Sequence, residues 1–171
     1  RKSLNKIRKD HRKKGFLEAR VRVTDLVPEH EHRKINLKLS VQEGPNVTVQ
    51  FSGNRRISRK TLKKIVPVVT EGDTSSPAIE ESEEVIRTLY KRHGFLNASV
   101  RSRKTRVNPS KIAIRFDIKE GIQTRVKKIE FVGEKKLRPG KIRPYLETKE
   151  ESLLQDGFYN PETVSTDFRK L

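Results

Sequence analysis

Cysteine, methionine and tryptophan are all absent from the 171 residues. Their absence removes disulfides, thiolate nucleophiles and Cys-based metal sites, and leaves no cysteine usage from which a redox compartment could be read. Apolar residues are scarce too, at 32%, a thin supply for one large core and a better match to several small modules. No run approaches the roughly 18 apolar residues of a membrane-spanning helix, and Arg1-Lys2-Ser3-Leu4 lacks the apolar stretch of a secretory signal. The first residue is not Met and the opening helix-like stretch follows no strand, so the expectation is a soluble piece of a longer chain.

Negative charge is short as well: 22 Asp and Glu stand against 40 Lys and Arg, a net +18. An excess of this size attracts polyanions by counterion release, or an anionic leaflet through its surface potential. It also serves solubility alone.

What the chain does contain is an internal repeat. Lys14–Arg22, KGFLEARVR, returns as His93–Arg101, HGFLNASVR, at a shift of 79. Lys34–Gly44, KINLKLSVQEG, returns as Lys111–Gly121, KIAIRFDIKEG, at a shift of 77. Val49–Gly53 pairs with Ile129–Gly133 at a shift of 80. Slippage of that size belongs to surface turns, where insertions are tolerated. Cutting at these matches leaves one whole unit at 45–121, preceded at 1–44 by the back part of another and followed at 122–171 by the front part of a third.

Within the whole unit, Val47, Val49 and Phe51 alternate with polar residues and predict a half-buried strand ended by Gly53-Asn54. Ser58 caps a short helix, Ile57 staples onto Leu62, and Pro67 closes it. Ser76-Pro77 reads as an N-cap and first helical residue of a longer helix, about Ala78 to His93, with Ile79, Ser82, Val85, Ile86, Leu89 and Tyr90 on one stripe and Gly94 as its C-cap. A hairpin follows: Leu96, Ala98 and Val100 alternate, Asn108-Pro109 turns, and Ile112, Ile114, Phe116 and Ile118 alternate. The order is β-α-α-β-β, and a three-stranded sheet with two helices over its apolar face is the economical α+β solution.

This pattern resembles the POTRA domains of outer-membrane β-barrel assembly factors of the BamA type, found also in TamA-like and two-partner-secretion relatives. The residues that carry the likeness are Val49-x-Phe51-x-Gly53-Asn54, Leu89-Tyr90-x-x-x-Gly94-Phe95 and Phe116-x-Ile118-x-Glu120-Gly121. Gly15-Phe16 and Glu43-Gly44 extend it upstream; Ile129-x-Phe131-x-Gly133 and Gly157-Phe158-Tyr159, before an amphipathic run to Leu171, extend it downstream. His11 stands where the second copy has Tyr90, a departure, and the heavy positive charge is another.

The resemblance implies tandem POTRA modules, each a three-stranded mixed sheet covered on one face by two helices. It also implies the periplasmic portion of an outer-membrane protein, with no enzymatic activity and no cofactor. Such modules would receive unfolded outer-membrane protein precursors and dock periplasmic accessory lipoproteins or chaperones by adding a partner's strand to a sheet edge. By the same resemblance the last strand is central, which leaves Leu96, Asn97, Ala98, Ser99, Val100, Arg101, Ser102 and Arg103 as the free, peptide-binding edge. The charges there would also guard the edge against aggregation.

Other features point to no chemistry. Glu80, Glu81, Glu83 and Glu84 fall in the first turns of a helix, where they complement its dipole. His30 and His32, with Glu29 and Glu31, lack a third ligand and support, and no metal site is expected. No Ser-His-Asp order, phosphate-cradling glycine loop or Cys-His pair is present. Lys6, Arg8, Lys9, Arg12, Lys13 and Lys14 crowd the opening helix and could meet anionic headgroups or serve as a solvated face. The rival reading, a basic nucleic-acid-binding protein with ferredoxin-like or KH-like modules, lacks interleaved aromatics and a Gly-x-x-Gly clamp, so no nucleic acid is expected among its partners.

Overall fold

The computed structural model describes residues 2–29, 34–132 and 139–170. His30, Glu31, His32, Gly133 and Leu171, all invoked above, lie outside the described residues.

The whole unit folds around β3 (Asn46–Ser52), α2 (Arg59–Ile65), α3 (Pro67–Thr70), α4 (Ser76–Arg92), β4 (Ser99–Asn108) and β5 (Lys111–Lys119). Ser58 Oγ accepts from the Thr61 amide at 3.1 Å, the expected cap of α2. Pro67 ends that helix and, having no N–H to satisfy, starts the one-turn α3. The cap of α4 is Ser75 rather than Ser76: its Oγ accepts from Ala78 N, which moves the first helical position back to Ser76. Ser82 sits on the apolar stripe because its hydroxyl is fully used, donating to Ala78 O at 2.7 Å and accepting from Val68 N at 3.2 Å. That bond ties α3 to α4.

The sheet order is β3-β5-β4, with β5 parallel to β3 and antiparallel to β4. The last strand is therefore central, as expected. Its Ile112, Ile114, Phe116 and Ile118 are buried at alternate positions, and Phe116 stacks on Phe51 across the parallel pair at 5.5 Å. Leu62, Val66, Ile86 and Tyr90 close the core from the helix side. Glu120 fastens the corner: one carboxylate oxygen accepts from the Tyr90 hydroxyl at 2.9 Å and from the Arg56 amide at 2.8 Å. Burial first, and then the Glu120 carboxylate, push the Tyr90 phenol above its usual range, so it stays a donor.

The flanks follow the repeat only as far as their partners allow. Upstream, α1 (Lys2–Lys13) precedes the antiparallel hairpin β1 (Arg20–Glu29) and β2 (Lys34–Gln42). Val23, Leu37, Leu39 and Val41 of that hairpin are exposed, because among the described residues no helix pair or third strand covers its apolar side. Downstream, where Ile129–Gly133 repeats Val49–Gly53, residues 126–132 belong to no strand. In the whole unit Val47 pairs with Ile112, 65 positions later. Downstream, the main chain instead bonds locally: Val126 N donates to Gly157 O at 2.7 Å, Val126 O accepts from Glu151 N at 2.8 Å, and Ile129 N donates to Glu150 Oε1 at 2.5 Å. The rest of this flank is α5 (Pro139–Ile142), a 3₁₀ turn (Arg143–Tyr145) and α6 (Pro161–Lys170).

Candidate peptide-binding edges

A three-stranded sheet has two outer edges, β3 and β4. In the parallel pair the Asn46 amide donates to Ser110 O at 2.8 Å, so even-numbered residues of β3 bond to β5 and odd-numbered ones turn outward. The outward Val47 amide is already taken by Gly15 O at 2.7 Å. Val47 and Phe51 are only 5% and 3% exposed. One outward group of β3 is thus closed to an added strand, whereas Val49 and Phe51 make no outward main-chain bond among the described residues. A groove of about 420 Å³ runs beside it, lined by Val49, Phe51, Arg59 and Lys63.

On β4 the parity is reversed. Residues 99, 101, 103 and 105 pair with β5 opposite 119, 117, 115 and 113, while Val100, Ser102, Lys104 and Arg106 turn their main-chain groups outward. Two of those groups are occupied by α4. The Ser102 amide donates to Glu83 Oε1 at 2.7 Å, and Val100 O accepts from Arg87 Nη1 at 3.4 Å. Arg87 is held in place by Glu84, at 2.7 Å, and by Glu83, at 3.4 Å. Its hydrogen bond to Glu84, reinforced by their charges, holds the Glu84 carboxyl below its ordinary value and raises the Arg87 guanidinium. Beyond this pair, the Ser102 carbonyl and the amides and carbonyls of Lys104 and Arg106 have no protein partner among the described residues, and the strand is exposed from Arg103 to Asn108.

The expected edge, Leu96 to Arg103, coincides only in part with the unpaired part of β4. Leu96, Asn97 and Ala98 form the turn before the strand, since Ala98 N bonds back to Phe95 O at 3.2 Å. Ser99, Arg101 and Arg103 lie on the uncovered face of the sheet rather than along its rim, because they share a side with Lys119, Asp117 and Arg115. Ser102 and Val100 belong to the edge but are capped. Lys104 and Arg106, which sequence reasoning missed, are the open positions. The missed signal was the length of the exposed run Arg101–Asn108, whose four cations include no carboxylate.

The basic helix is also reassigned in part. Arg12 donates to Leu17 O at 3.2 Å and Thr70 O at 3.1 Å, and also to Glu71 O, so it fastens α1 to the loop after α3 and is not available to a headgroup. Burial, with Arg8 nearby, lowers its pKa. Arg8 donates to Asn5 Oδ1 and Lys13 lies 3.6 Å from Asp10. Lys6, Lys9 and Lys14 are exposed and have no ion-pair partner among the described residues.

Fold and edge together define a small α+β repeat module of strand–helix–helix–strand–strand order, with unpaired main-chain groups on the β4 rim. Residues 48–121 match the POTRA family, described as the surface antigen variable number repeat. Over 155 residues the chain is 26% identical to a protein of Treponema pallidum (strain Nichols) named as an outer membrane protein assembly factor, covering 89% of this chain and 18% of that protein. The chain thus spans less than a fifth of that relative's length. Among solved structures it is similar to POTRA domains 3–5 of Haemophilus influenzae BamA, at 21% identity and a TM-score of 0.45 over 97% of this chain and 65% of that one. It is also similar to the N-terminal domain of Omp85 from Thermosynechococcus elongatus, at 19% identity and a TM-score of 0.37 over 99% and 70% of the two chains. No described helix is long and apolar enough to cross a membrane.

Proposed function

We propose that this chain is part of the periplasmic scaffold of an outer-membrane protein assembly factor. Residues 1–44 and 122–171 would be the back and front portions of POTRA modules on either side of the complete one. The scaffold would hold extended segments of unfolded barrel precursors, and of accessory proteins, by strand addition. The observation that carries this reading is the run of unpaired main-chain groups from Ser102 to Arg106 on an exposed rim. Such a rim accepts any extended peptide through backbone bonds, giving the sequence tolerance that many different clients require. The apolar hairpin face at Leu37 and Leu39, and the exposed Tyr145 and Phe168, suit a chain whose neighbouring modules are only partly represented.

The test is site-specific photocrosslinking in the full-length protein in cells. A photoreactive residue at Arg106 is expected to capture barrel precursors, identified by mass spectrometry, whereas one at Lys60, exposed on α2, should not. Absence of precursor adducts at Arg106 while the protein remains in place would overturn the strand-addition reading.

A further inference from the structure

We infer that the open part of the β4 rim selects acidic extended segments, and that Glu83 and Arg87 set where such a segment begins. This rests on the strand-addition reading above and adds to it a partner chemistry and a register.

Consider the charges first. β4 carries Arg101, Arg103, Lys104 and Arg106 and no carboxylate. Lys104 and Arg106 stand on the helix side of the sheet, opposite Ile114 and Ile112, but beyond the reach of the helices, so both are exposed. Lys104 Nζ donates to Thr74 O at 2.5 Å, and the Asp73 carboxylate is close enough to feel its charge. Arg101 and Arg103 stand on the other face. Arg103 lies opposite Arg115, a like-charge pair, and the nearby carboxylate of Asp117 is already used by Arg115 at 2.7 Å. Among the described residues, Arg101, Arg103 and Arg106 have no ion-pair partner. A strand laid against β4 would place its own side chains alternately beside these two sets of cations, within reach of long side chains on diagonal positions. Glutamate or aspartate at those positions relieves the repulsion; lysine or arginine adds to it.

The register comes from α4. Glu83 accepts from the Ser102 amide and Arg87 donates to Val100 O, the two bonds that an added strand would otherwise make at the start of the rim. The side-chain pair acts as a short surrogate strand, held by the Glu83–Arg87–Glu84 network. A docked segment therefore starts at the Ser102 carbonyl and runs over Lys104 and Arg106. Guarding the rim against aggregation would require only that the cations be there, with no need for a cap on its first half.

The experiment uses the chain 1–171 and three fluorescent strand-forming peptides of equal length: one with glutamate at alternate positions, its lysine counterpart, and the glutamate peptide with two central prolines. The glutamate peptide is expected to bind at least about tenfold more tightly than the lysine peptide at low salt, with the gap narrowing as salt shortens the Debye length. The proline peptide should lose binding because it lacks the N–H groups of the ladder. Amide hydrogen exchange should slow at Lys104 and Arg106 and stay unchanged at Ser102. In Glu83→Ala/Arg87→Ala, Ser102 should gain peptide-dependent protection. Arg103→Ser/Arg106→Ser should abolish the preference for glutamate while leaving main-chain protection in place. Equal binding of the glutamate and lysine peptides, with protection on β4, would overturn acid selection and leave strand addition standing. Peptide-dependent protection of Ser102 in the unaltered chain would overturn the register. Protection at no strand rim with any peptide would remove strand addition itself.

Discussion

The turn that leaves α1 and the turn that leaves α4 meet the segment after them through the same main-chain contact but with different side chains beneath. At the first, Gly15 O accepts from Val47 N at 2.7 Å and Asn46 Nδ2 donates to Lys14 O at 3.0 Å. At the second, Gly94 O accepts from Thr124 N at 2.8 Å and Gln123 Nε2 donates to His93 O at 2.9 Å. The partners are related by the 79- and 77-residue shifts of the repeat. Below the second turn Tyr90 packs edge-on against Phe95 and bonds Glu120 at 2.9 Å. Below the first, His11 packs against Phe16, and its buried Nδ1 lies 3.1 Å from Glu43 Oε1 without hydrogen-bond geometry. The joint between successive repeats is therefore written in the helix-ending glycine and the amide that reaches back to it. The strength of the lock under each joint is left to the variable aromatic position.

The largest expected effect separates the two glycines. Both have positive φ, 97° at Gly15 and 81° at Gly94, which costs an L-residue roughly 1–2 kcal/mol. A Cβ on Gly94 would also stand 2.4 Å from Thr124 O, a main-chain atom, whereas one on Gly15 would meet the Asn46 side-chain amide at 2.6 Å, which can swing away. Gly94→Ala should therefore destabilise by roughly 2–4 kcal/mol and Gly15→Ala by roughly 1–2 kcal/mol, read as urea midpoints of the chain. Equal losses would mean that the second joint is as yielding as the first.

Next come the locks. Tyr90→Phe removes a donor from a carboxylate and should cost about 1.5 kcal/mol, while His11→Phe, which removes a buried unpaired nitrogen, should be neutral or slightly stabilising. Calorimetric melting of the two variants checks this, and a loss at His11 as large as that at Tyr90 would show that Glu43 depends on the imidazole. The smallest difference is expected between the amides. Asn46→Ala and Gln123→Ala should each cost about 1 kcal/mol, and faster amide exchange confined to Val47 or Thr124, respectively, would locate each loss.

Much of the central unit was legible as sequence because its determinants are local. Ser58 and the alternation of Ile112 to Ile118 specify a cap and a strand without reference to distant residues. The cap of α4 moved by one residue because two serines adjoin, and only the hydrogen bond to Ala78 N decides between them. Ile129 and Phe131 repeat the alternation of Val49 and Phe51 without lying in a strand, because a ladder needs a partner that alternation alone does not supply.

By itself the sequence determined the repeat, the β-α-α-β-β order and the identity of the core faces, since hydrophobic period and turn chemistry act over a few neighbouring residues. Only the tertiary structure decided which main-chain groups on the sheet's rims are taken. That depends on Gly15 accepting from Val47 on β3 and on Glu83 and Arg87 capping the first half of β4, contacts between residues 32, 19 and 13 positions apart. It also turned Arg12 from a surface cation into the fastening between α1 and the end of α3, 58 positions away, because a guanidinium fork takes carbonyls wherever the chain folds them to it.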